Sequence, residues 1–465
     1  MAAKQYFSKK KKKEKGKWLV AAVLGVFLFI TLGNVQTAFK SINKRQLISL
    51  QSDNFPSSEY QAIQLGSTKK IAQQNFSEID RFARELNYSG SSIPELATLL
   101  AKNATTDTEK ARIIYAWITQ HVTYDIAAFR EAVDNDNYPD VDAEKVLRDR
   151  TTICSGYSNL YQALAEAMNL KSVIVVGYGK GATPKDEKFQ DVNHAWNAVK
   201  LEAGWYLLDA TWGAGSVRDN QFEADYKPYY FATAPDELIN NHFPQDQGWQ
   251  LLAQTYTRTE FDNLPDIASR FYSLGLNLVT HRNYQISASG RIDINLKAPA
   301  DIIAVANLKQ GTQESPQSAV LVNRQASNLI ISVAPPMLGT YELTIYAKKK
   351  DDPEKYSEII NYQINALNSA AGLPKIYDHF NQYQASLVEP LTAELKPNWS
   401  TYFNLVVPQA IDVQVVNAQT KQWTPLNGYG NYFAGHVDIQ SGNTAIVAKF
   451  PGDDRYWQLV EYQSR

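Results

Sequence analysis

The middle third of the chain shifts between a helical period and a two-residue period of apolar positions, which predicts a mixed domain of helices and strands. Thr106 and Glu109 have the spacing of a capping box and predict a helix over TDTEKARIIYAWITQHV. Its buried face is predicted from apolar residues at helical spacing, which are Ile114, Trp117, Ile118 and Val122. A polar, acidic loop over EAVDNDNYPDVD and a short helix over AEKVLRDR are expected to follow.

A second helical pattern starts at Cys154. Apolar residues recur at helical spacing in TTICSGYSNLYQALAEAMNL and place Cys154 in the first turn of the helix. The β-branched run KSVIVVGYG predicts a strand. The segments NHAWNAVKL and WYLLDATWG, joined by a turn at EAGW, predict a β-hairpin. The order of helix, strand and hairpin indicates an α+β domain.

The last two hundred residues alternate in the manner of β-sandwich strands, as in RIDINLKAP and TYELTIYAKK. The segment 278–299 aligns with the segment 387–408 at one constant offset of 109 residues. This repeat predicts two tandem β-sandwich domains, at 257–366 and 375–465.

The amino-terminal pattern differs from the rest of the chain. Residues 1–17 hold eight lysines and one glutamate, and residues 18–33 hold no charge. We expect a basic cytoplasmic tail over 1–17, a transmembrane signal-anchor over 18–35 and a stalk with one helix over 36–91. The predicted localisation is a single-pass membrane protein whose carboxy-terminal body is extracellular, at the cell surface. The alternative, a cleaved signal peptide, makes the protein secreted.

Composition narrows the chemistry. The 465 residues are 44% hydrophobic and carry a net charge of −2, which excludes a wholly disordered chain and argues against nucleic acid as a partner. Because Cys154 is the one cysteine, an intrachain disulfide framework and a multi-thiolate metal site are excluded. The acidic loop is read as solvated, so no metal and no cofactor is expected. His121 and His242 are read as structural.

Cys154, His194 and Asp209 are the candidate catalytic residues. The start of a helix favours a thiolate at Cys154. Pairing the hairpin strands puts His194 within about two residues of the position opposite Asp209, where an imidazole and a carboxylate can bond. A thiol, an imidazole and a carboxylate are the parts of an acyl-transfer triad. Taken singly, each residue also fits a structural role: a buried thiol, a strand histidine and a turn-capping aspartate.

These blocks resemble the transglutaminase-like superfamily. The similarity lies in Cys154-Ser-Gly-Tyr-Ser, Asn193-His194-Ala-Trp-Asn-Ala-Val and Leu208-Asp209-Ala-Thr-Trp-Gly, and in the preceding AWITQHVTYD. The segment PYYFATAPDELINNHFPQDQGWQLL is similar to kyphoscoliosis-peptidase-like members. The resemblance implies a catalytic domain over 92–256, with a papain-like α+β fold in which the cysteine helix packs on an antiparallel sheet. It also implies Cys154 as nucleophile, His194 as general base and acid, and Asp209 as the residue that orients the imidazole.

The expected function is that of an exported, membrane-anchored, cysteine-dependent acyl-transfer enzyme. It would act on peptide or glutamine carboxamide bonds, as a protease or a transglutaminase. The expected partner is a protein or peptide substrate, cell-wall peptide among the candidates. The alternative is a non-catalytic surface adhesion or scaffold protein built on the same fold. An intact triad argues against this alternative, because binding requires none of the three groups.

Overall fold

The structure is a computed structural model that describes residue 71 and residues 74–135, 137–180, 192–202, 204–353 and 355–465. The chain divides into two compact units, the first ending at Asp262 and the second running from Asn263 to Arg465. The first unit mixes helices with an antiparallel sheet. The second unit is built almost wholly of strands. The predicted order of an α+β core followed by β-sandwiches is therefore confirmed.

The helices of the first unit surround the segment predicted to carry the cysteine. They are α1 Ser77–Glu85, α2 Ile93–Ala101, α3 Asp107–His121, α4 Ile126–Asn135, α5 Ala143–Asp149, α6 Cys154–Ala167, α7 Ala210–Ala214, α8 Pro235–Leu238 and α9 Arg258–Asp262. Helix α3 begins with the predicted capping box, because Thr106 accepts from the N–H of Glu109 while the Glu109 carboxylate accepts from the N–H of Thr106. Its residues from Ala111 to Thr119 are buried, so α3 forms the centre of the helical layer.

The main sheet of the first unit has five antiparallel strands. They are β3 Ser172–Gly179, β4 His194–Leu201, β5 Gly204–Leu208, β8 Phe231–Thr233 and β9 His242–Pro244, in the order β8-β5-β4-β3-β9. Two-stranded ladders flank this sheet: β1 Thr123–Tyr124 with β2 Thr151–Thr152, and β6 Gly215–Arg218 with β7 Gln221–Ala224. Helix α6 packs on β3 and β4. Because β2 leads directly into α6, the start of the cysteine helix is anchored to the β1–β2 ladder.

Two local predictions differ from the structure. The second hairpin strand ends at Leu208 rather than continuing through DATWG, because the Asp209 side chain accepts from the N–H groups of Thr211 and Trp212 and starts helix α7. The expected acidic loop is helical as far as Asn135, where α4 ends. At Asp209 a side-chain cap starts a helix where a strand was predicted. Before Asn135 a helix-compatible run replaces part of the predicted loop.

Helix α1 lies in the segment expected to be a stalk, and it packs against α3. Arg112 of α3 forms a two-point ion pair with Asp80 of α1, at 2.8 Å from Nε and 2.7 Å from Nη2. The guanidinium also lies over the rings of Phe76 and Phe231, at 5.1 Å from each centroid. The pair is nearly enclosed, with 4% of the Arg112 side chain and 16% of the Asp80 side chain exposed. This contact joins α1 to the core of the first unit.

The second unit contains two β-sandwiches with the same strand order. The first has β10 Asp266–Ile267, α10 Ser269–Ser273, β11 Asn277–Leu278, β12 Gln285–Ala288, β13 Ile292–Lys297, β14 Ile302–Gln310, β15 Gln313–Glu314, β16 Val320–Gln325, β17 Asn328–Val333, β18 Gly339–Lys349 and β19 Ser357–Ala366. The second has β20 Lys375–Ile376, α11 Asp378–Gln382, β21 Ser386–Glu389, β22 Glu394–Leu395, β23 Ser400–Val406, β24 Asp412–Asn417, β25 Trp423–Pro425, β26 Asn427–Tyr429, β27 Tyr432–Asp438, β28 Gly442–Lys449 and β29 Trp457–Ser464.

Each sandwich pairs a six-stranded sheet with a four-stranded one. The orders are β10-β19-β18-β14-β15 with β12 beside β19, and β11-β13-β17-β16. The second sandwich repeats both orders with β20-β29-β28-β24-β25 and β21-β23-β27-β26. Elements β10 and β20, α10 and α11, and β11 and β21 start 109 residues apart, the offset of the sequence repeat. Each sandwich encloses its own apolar core.

The two sandwiches also contact each other within this unit. The buried Asn323 side chain on β16 donates to the carbonyl of Leu387 at 2.7 Å and accepts from its N–H at 3.0 Å. A small apolar cluster of Leu321, Ala334 and Leu373 lies nearby. Asn323 thus satisfies the backbone groups of an edge strand of the other sandwich, as a neighbouring strand would.

The prediction of a single-pass membrane protein with an amino-terminal membrane helix is wrong, because the structure contradicts it. In the part of the chain that the structure describes, no helix is both long enough and apolar enough to cross a bilayer. The longest helix there, α3, has 15 residues and contains charged ones, whereas a crossing requires about 20 mainly apolar residues. The predicted tail at 1–17 and anchor at 18–35 lie outside the described residues.

Candidate active site

The Asp209 carboxylate lies at the centre of the candidate site. It follows strand β5 and is completely buried. Its Oδ1 atom accepts from the backbone N–H groups of Thr211 at 2.8 Å and Trp212 at 3.0 Å. The helix cap therefore fixes one carboxylate oxygen and directs the other, Oδ2, toward the face of the sheet.

His194 is the first residue of β4, and its Nε2 atom lies 2.7 Å from Asp209 Oδ2. The predicted pairing of imidazole and carboxylate is present, because the hairpin register sets Asn197 opposite Leu208 and leaves His194 two residues beyond the position facing Asp209. With Nε2 bonded to the carboxylate, Nδ1 is the ring nitrogen available to a thiol. The Cys154 thiol lies close enough to the ring to raise the pKa of His194.

Cys154 is the first residue of α6, as predicted. The residue before it, Ile153, has no polar side-chain atom and forms no side-chain cap. The N–H groups of Cys154 and Ser155 are consequently left without a side-chain cap, whereas the N–H of Gly156 donates to the Ile153 carbonyl at 2.9 Å. A developing negative charge next to the sulfur would meet these N–H groups. The structure thus brings the three predicted residues Cys154, His194 and Asp209 together.

Charge in the site follows from burial and from the carboxylate. Burial alone would lower the pKa of His194, but the charge and hydrogen bond of Asp209 outweigh burial and raise the pKa to about 10, with a smaller contribution from Cys154. Burial alone would raise the pKa of Asp209, but His194 and His242 outweigh it and hold the pKa well below its usual value. The stable charges are therefore a carboxylate at Asp209 and an imidazolium at His194.

A second histidine contacts the same carboxylate. His242, on the edge strand β9, has its Nε2 atom 2.8 Å from Asp209 Oδ2 and its Nδ1 atom 2.6 Å from Asn241 Oδ1. Strand β9 has three residues, which is too short for an alternation of apolar and polar positions that would have predicted a place for His242 in the site. The one available signal was its position inside the segment similar to kyphoscoliosis-peptidase-like members.

The glycines of β3 create the space in which the two imidazoles meet. Gly177 pairs with His194 and Gly179 pairs with His242, so both histidines project from the same face of the sheet, on opposite sides of β3. A Cβ atom at Gly179 would lie 3.3 Å from the Cβ atom of His194 and 3.3 Å from the Trp212 ring. At Gly177 a Cβ atom would collide with the β9 backbone, 2.2 Å from the carbonyl oxygen of Phe243.

Aromatic side chains surround the paired imidazoles. The ring centroid of Trp212 lies 5.5 Å from His194 and 4.4 Å from His242. Trp196 lies 5.8 Å from His194 and meets His242 edge-on at 5.0 Å. Trp196 is buried, so it belongs to the wall of the core, whereas Trp212 is partly exposed. These rings lower the local dielectric and strengthen the carboxylate–imidazole bonds.

His194, Asp209 and His242 are also the group, among the described residues, whose side chains could hold a metal ion, with ligand atoms within 4.8 Å of one another. Both imidazoles already point at a single oxygen at hydrogen-bond distance. A metal ion would have to replace both hydrogen bonds, because it requires each ligand atom at about 2.0–2.2 Å. The arrangement favours proton transfer over metal binding.

Two further aromatic side chains, those of Trp117 and Tyr124, carry polar hydrogens that could stabilise an oxyanion. The indole N–H of Trp117 is already used, since it donates to the carbonyl of Leu86 at 3.1 Å. Tyr124, on β1, lies beside the strand that precedes Cys154. Burial raises the pKa of Tyr124, and the neighbouring Cys154 adds to the effect, so the phenol keeps its proton. His121 is outside the site: it stacks on Trp117 at 4.8 Å.

Comparison with known proteins agrees with the motifs and the geometry. Residues 94–210 match the family model described as the transglutaminase-like superfamily. Residues 258–371 match the KY-like, immunoglobulin-like domain. Residues 94–210 therefore form a transglutaminase-like core that is followed by immunoglobulin-like β-sandwiches, and the resemblance to the transglutaminase-like superfamily and its kyphoscoliosis-peptidase-like members is confirmed.

Individual relatives extend this match. The chain is 32% identical over 309 residues to kyphoscoliosis peptidase of Homo sapiens, covering 65% of this chain and 45% of that protein. It is 27% identical over 327 residues to hillarin of Drosophila melanogaster, covering 62% of this chain and 39% of that protein. The chain therefore spans less than half the length of these relatives. A solved structure of a TGase is 20% identical to the chain, over 42% of this chain and 43% of that one, with a TM-score of 0.21.

Proposed function

We propose that the chain is a cysteine-dependent acyl-transfer enzyme acting on peptide or glutamine carboxamide bonds. Cys154 is the nucleophile, His194 the general base and acid, and Asp209 the residue that orients the imidazole. The observation that carries the proposal is the 2.7 Å hydrogen bond from His194 Nε2 to the buried Asp209, with the Cys154 thiol close enough to the same ring to raise the pKa of His194. The kyphoscoliosis peptidase relative is named a peptidase, which supports the same class.

The mechanism transfers one proton back and forth through His194. In the resting imidazolium–thiolate pair, Nδ1 of His194 already holds the proton of the Cys154 thiol, and the thiolate forms a C–S bond to the substrate carbonyl carbon. The carbonyl oxygen becomes an oxyanion. His194 then gives its proton to the departing nitrogen, the C–N bond breaks, and an amine or ammonia leaves a thioester on Cys154. Water or an amine attacks the thioester, His194 takes the attacking group's proton, and Cys154 recovers that proton as the sulfur departs.

Backbone and side-chain donors would stabilise the oxyanion. The N–H of Cys154 is one donor, because the first turn of α6 has no side-chain cap. We infer that the Tyr124 hydroxyl is the second, since the phenol keeps its proton and lies near enough to Cys154 for that residue to raise its pKa. Replacing one such donor costs about 10²–10³ in kcat in comparable sites. Tyr124→Phe should therefore lower kcat by that order and leave Cys154 alkylation nearly unchanged.

The alternative function, a non-catalytic scaffold, has one observation in its favour. Cys154 is only 4% exposed and His194 only 6%, and a buried thiol can be inert. A scaffold would not need Cys154 to react. The two functions therefore differ in the reactivity of this sulfur, which is the property to measure first.

Alkylation tests the proposal directly because Cys154 is the one thiol in the chain. The full chain is treated with iodoacetamide from pH 5 to pH 10, as wild type, His194→Gln and the control His121→Gln. A free thiol titrates near ~8.5, so rapid labelling of wild type at pH 6 that is lost in His194→Gln supports the enzyme. Labelling that follows an ordinary thiol in all three proteins, or no labelling of the folded chain, would support the scaffold.

A second measurement is required to show whether water or an amine accepts the acyl group from Cys154. The full chain is offered a peptide library together with a labelled primary amine, beside a Cys154→Ala control. Cleaved peptides identify a protease, and incorporated amine identifies a transglutaminase. Neither product above the Cys154→Ala background would contradict the proposed activity.

A further inference from the structure

His242 has no part in the mechanism above, although it contacts the centre of the site. Its side chain is completely buried. Its Nε2 atom and that of His194 lie 2.8 Å and 2.7 Å from one atom, Asp209 Oδ2. The two rings come from different strands, β9 and β4, and their centroids are 5.3 Å apart. A buried histidine that only fills space would not need to be aimed at a carboxylate already bonded to another imidazole.

We propose that His242 is a positioning residue, which donates from Nε2 to Asp209 Oδ2, holds the carboxylate in place and takes up part of its charge. This inference rests on the proposed function, since it assigns a role relative to His194. His242 does not touch the reacting atoms in this scheme. It acts on them through Asp209, by setting how strongly the carboxylate supports the imidazolium of His194.

The direction of the hydrogen bond follows from the chemistry of the groups. An ionised carboxylate only accepts hydrogen bonds, so both imidazoles must present an N–H to Oδ2. Burial lowers the pKa of His242, and the neighbouring His194 charge lowers it further, whereas Asp209 opposes both effects. His242 is therefore neutral, with its one proton on Nε2. The Asn241 Oδ1 atom lies 2.6 Å from Nδ1. Because an amide oxygen only accepts, a neutral His242 with its proton on Nε2 requires the opposite orientation of the Asn241 amide, with its NH₂ group toward Nδ1.

Other titratable groups face this cluster from the elements packed around it. Cys154 lies at the start of α6 and contributes to the raised pKa of His194. Three buried phenols feel the Asp209 charge, each with burial as the main cause of a raised pKa: Tyr115, Tyr124 and Tyr157. The Tyr230 ring lies 6.2 Å from His242. Because the three phenols stay neutral, Asp209 and His194 are the charges that determine the state of His242.

One carboxylate thus serves two imidazoles, of which one becomes charged. When His194 takes the thiol proton, its positive charge disfavours a second proton on His242. The N–H of His242 lowers the pKa of Asp209 and so weakens the pull of that carboxylate on the His194 proton. His194 can then release the proton to the leaving group more readily. Without His242, Oδ2 would support His194 alone and would hold its proton more tightly.

The pH profile of Cys154 labelling separates this role from a merely structural one. Iodoacetate is used on the full chain from pH 6 to pH 11, because its negative charge makes its reaction sensitive to the imidazolium beside the thiolate. The alkaline fall in rate then reports deprotonation of His194. We expect His242→Ala to move this fall upward by roughly 0.5–1 pH unit. His242→Gln, which keeps an N–H donor, should stay close to wild type, as should the control His121→Gln.

Two outcomes of this experiment would overturn the inference. The first is an unchanged alkaline fall in folded His242→Ala, with folding checked by circular dichroism. The second is an equal movement in His242→Gln and His242→Ala, since the N–H donor would then be irrelevant.

A second measurement keeps the inference testable when His242→Ala does not fold. The wild-type chain, labelled with ¹⁵N in its six histidines, is observed by long-range ¹H–¹⁵N NMR between pH 6 and pH 9. His242 is assigned by the signal lost in His242→Gln. We expect a neutral ring protonated on Nε2 at every pH. A charged ring, or a proton on Nδ1, would refute the inference. An inert Cys154 with this tautomer present would instead refute the proposed function and leave the hydrogen bond established.

Discussion

Asp209→Asn is the substitution that tests the charge of the site most directly. The amide has nearly the shape of the carboxylate but no charge, and its oxygen can still accept from Thr211 and Trp212. An amide NH₂ would then face the Nε2 atoms of both histidines, in place of the acceptor Oδ2. A neutral His194 would then have to carry its proton on Nδ1 instead of Nε2. Nδ1 is the nitrogen that has to receive the thiol proton. The substitution thus removes the charge and imposes the wrong tautomer.

The size of the effect follows from the pKa of His194. Asp209 raises it from 6.5 to about 10, against the opposing effect of burial. At 1.36 kcal/mol per pH unit this difference corresponds to about 5 kcal/mol of support for the imidazolium. Without the charge, burial dominates and the pKa falls below 6.5. If this support for the imidazolium is lost, turnover should fall by about 10³–10⁴-fold, which is the factor that about 5 kcal/mol corresponds to.

Alkylation of Cys154 gives a second, independent magnitude. A free thiol titrates near ~8.5, so only about 3% of it is thiolate at pH 7, and this is the reference for a chain that has lost the ion pair. The iodoacetamide rate at pH 7 should therefore fall about 30-fold in Asp209→Asn, and the two proteins should converge near pH 10. The assay compares second-order labelling rates of the full chain, with His121→Gln as the matched control.

The same pair makes a prediction about stability. The pKa of His194 is raised in the folded chain, so its contribution is fully present below about pH 6.5 and is lost as the pH rises toward 10. Urea unfolding should therefore show wild type losing stability over this range and Asp209→Asn losing much less. Equal pH dependence in both proteins, together with an unchanged alkylation profile, would refute the charge pairing on which the reasoning depends.

Three further substitutions test the framework of the fold. Gly179→Ala should lower turnover about tenfold with little loss of stability, because its Cβ atom would lie 3.3 Å from the Cβ atom of His194, the proposed general base; unchanged kinetics would contradict this. Arg112→Met should lower the unfolding free energy by about 3–5 kcal/mol, since it leaves the buried Asp80 carboxylate unpaired, and Asp80→Asn should cost less. Asn323→Ala should cost about 2–3 kcal/mol and increase the spread of sandwich orientations in small-angle X-ray scattering, because both Leu387 backbone groups lose their partners.

Local patterns predicted the elements that carry the three candidate residues. The capping box at Thr106 defined the start of α3, and the helical period after Cys154 defined α6. The hairpin was also predictable, because its register follows from a tight turn and brings His194 near Asp209 across a short span of chain. These features depend on interactions between residues close in sequence, which one sequence can reveal. The 109-residue repeat likewise predicted the recurrence of β10 and α10 as β20 and α11.

Other features depend on contacts that local patterns do not contain. Asp209 reads as a strand residue, yet two N–H groups of the next turn make it a helix cap. His242 reads as an isolated histidine in a segment of weak periodicity. It reaches Asp209 because β9 adds to the edge of β3, where Gly177 and Gly179 leave room for a close approach. Such a contact joins residues 33 apart in the chain through the pairing of a third strand.

The sequence by itself determined the family, the order of helices and strands in the core and the three residues on which the proposed chemistry depends. Spacing, caps and turns are local features, because they depend on interactions between residues that are close in the chain. Only the tertiary structure decided that two imidazoles share Asp209 Oδ2, and that the carboxylate is buried. Burial and shared hydrogen bonds determine the pKa values, because they depend on everything packed around a group rather than on its place in the chain.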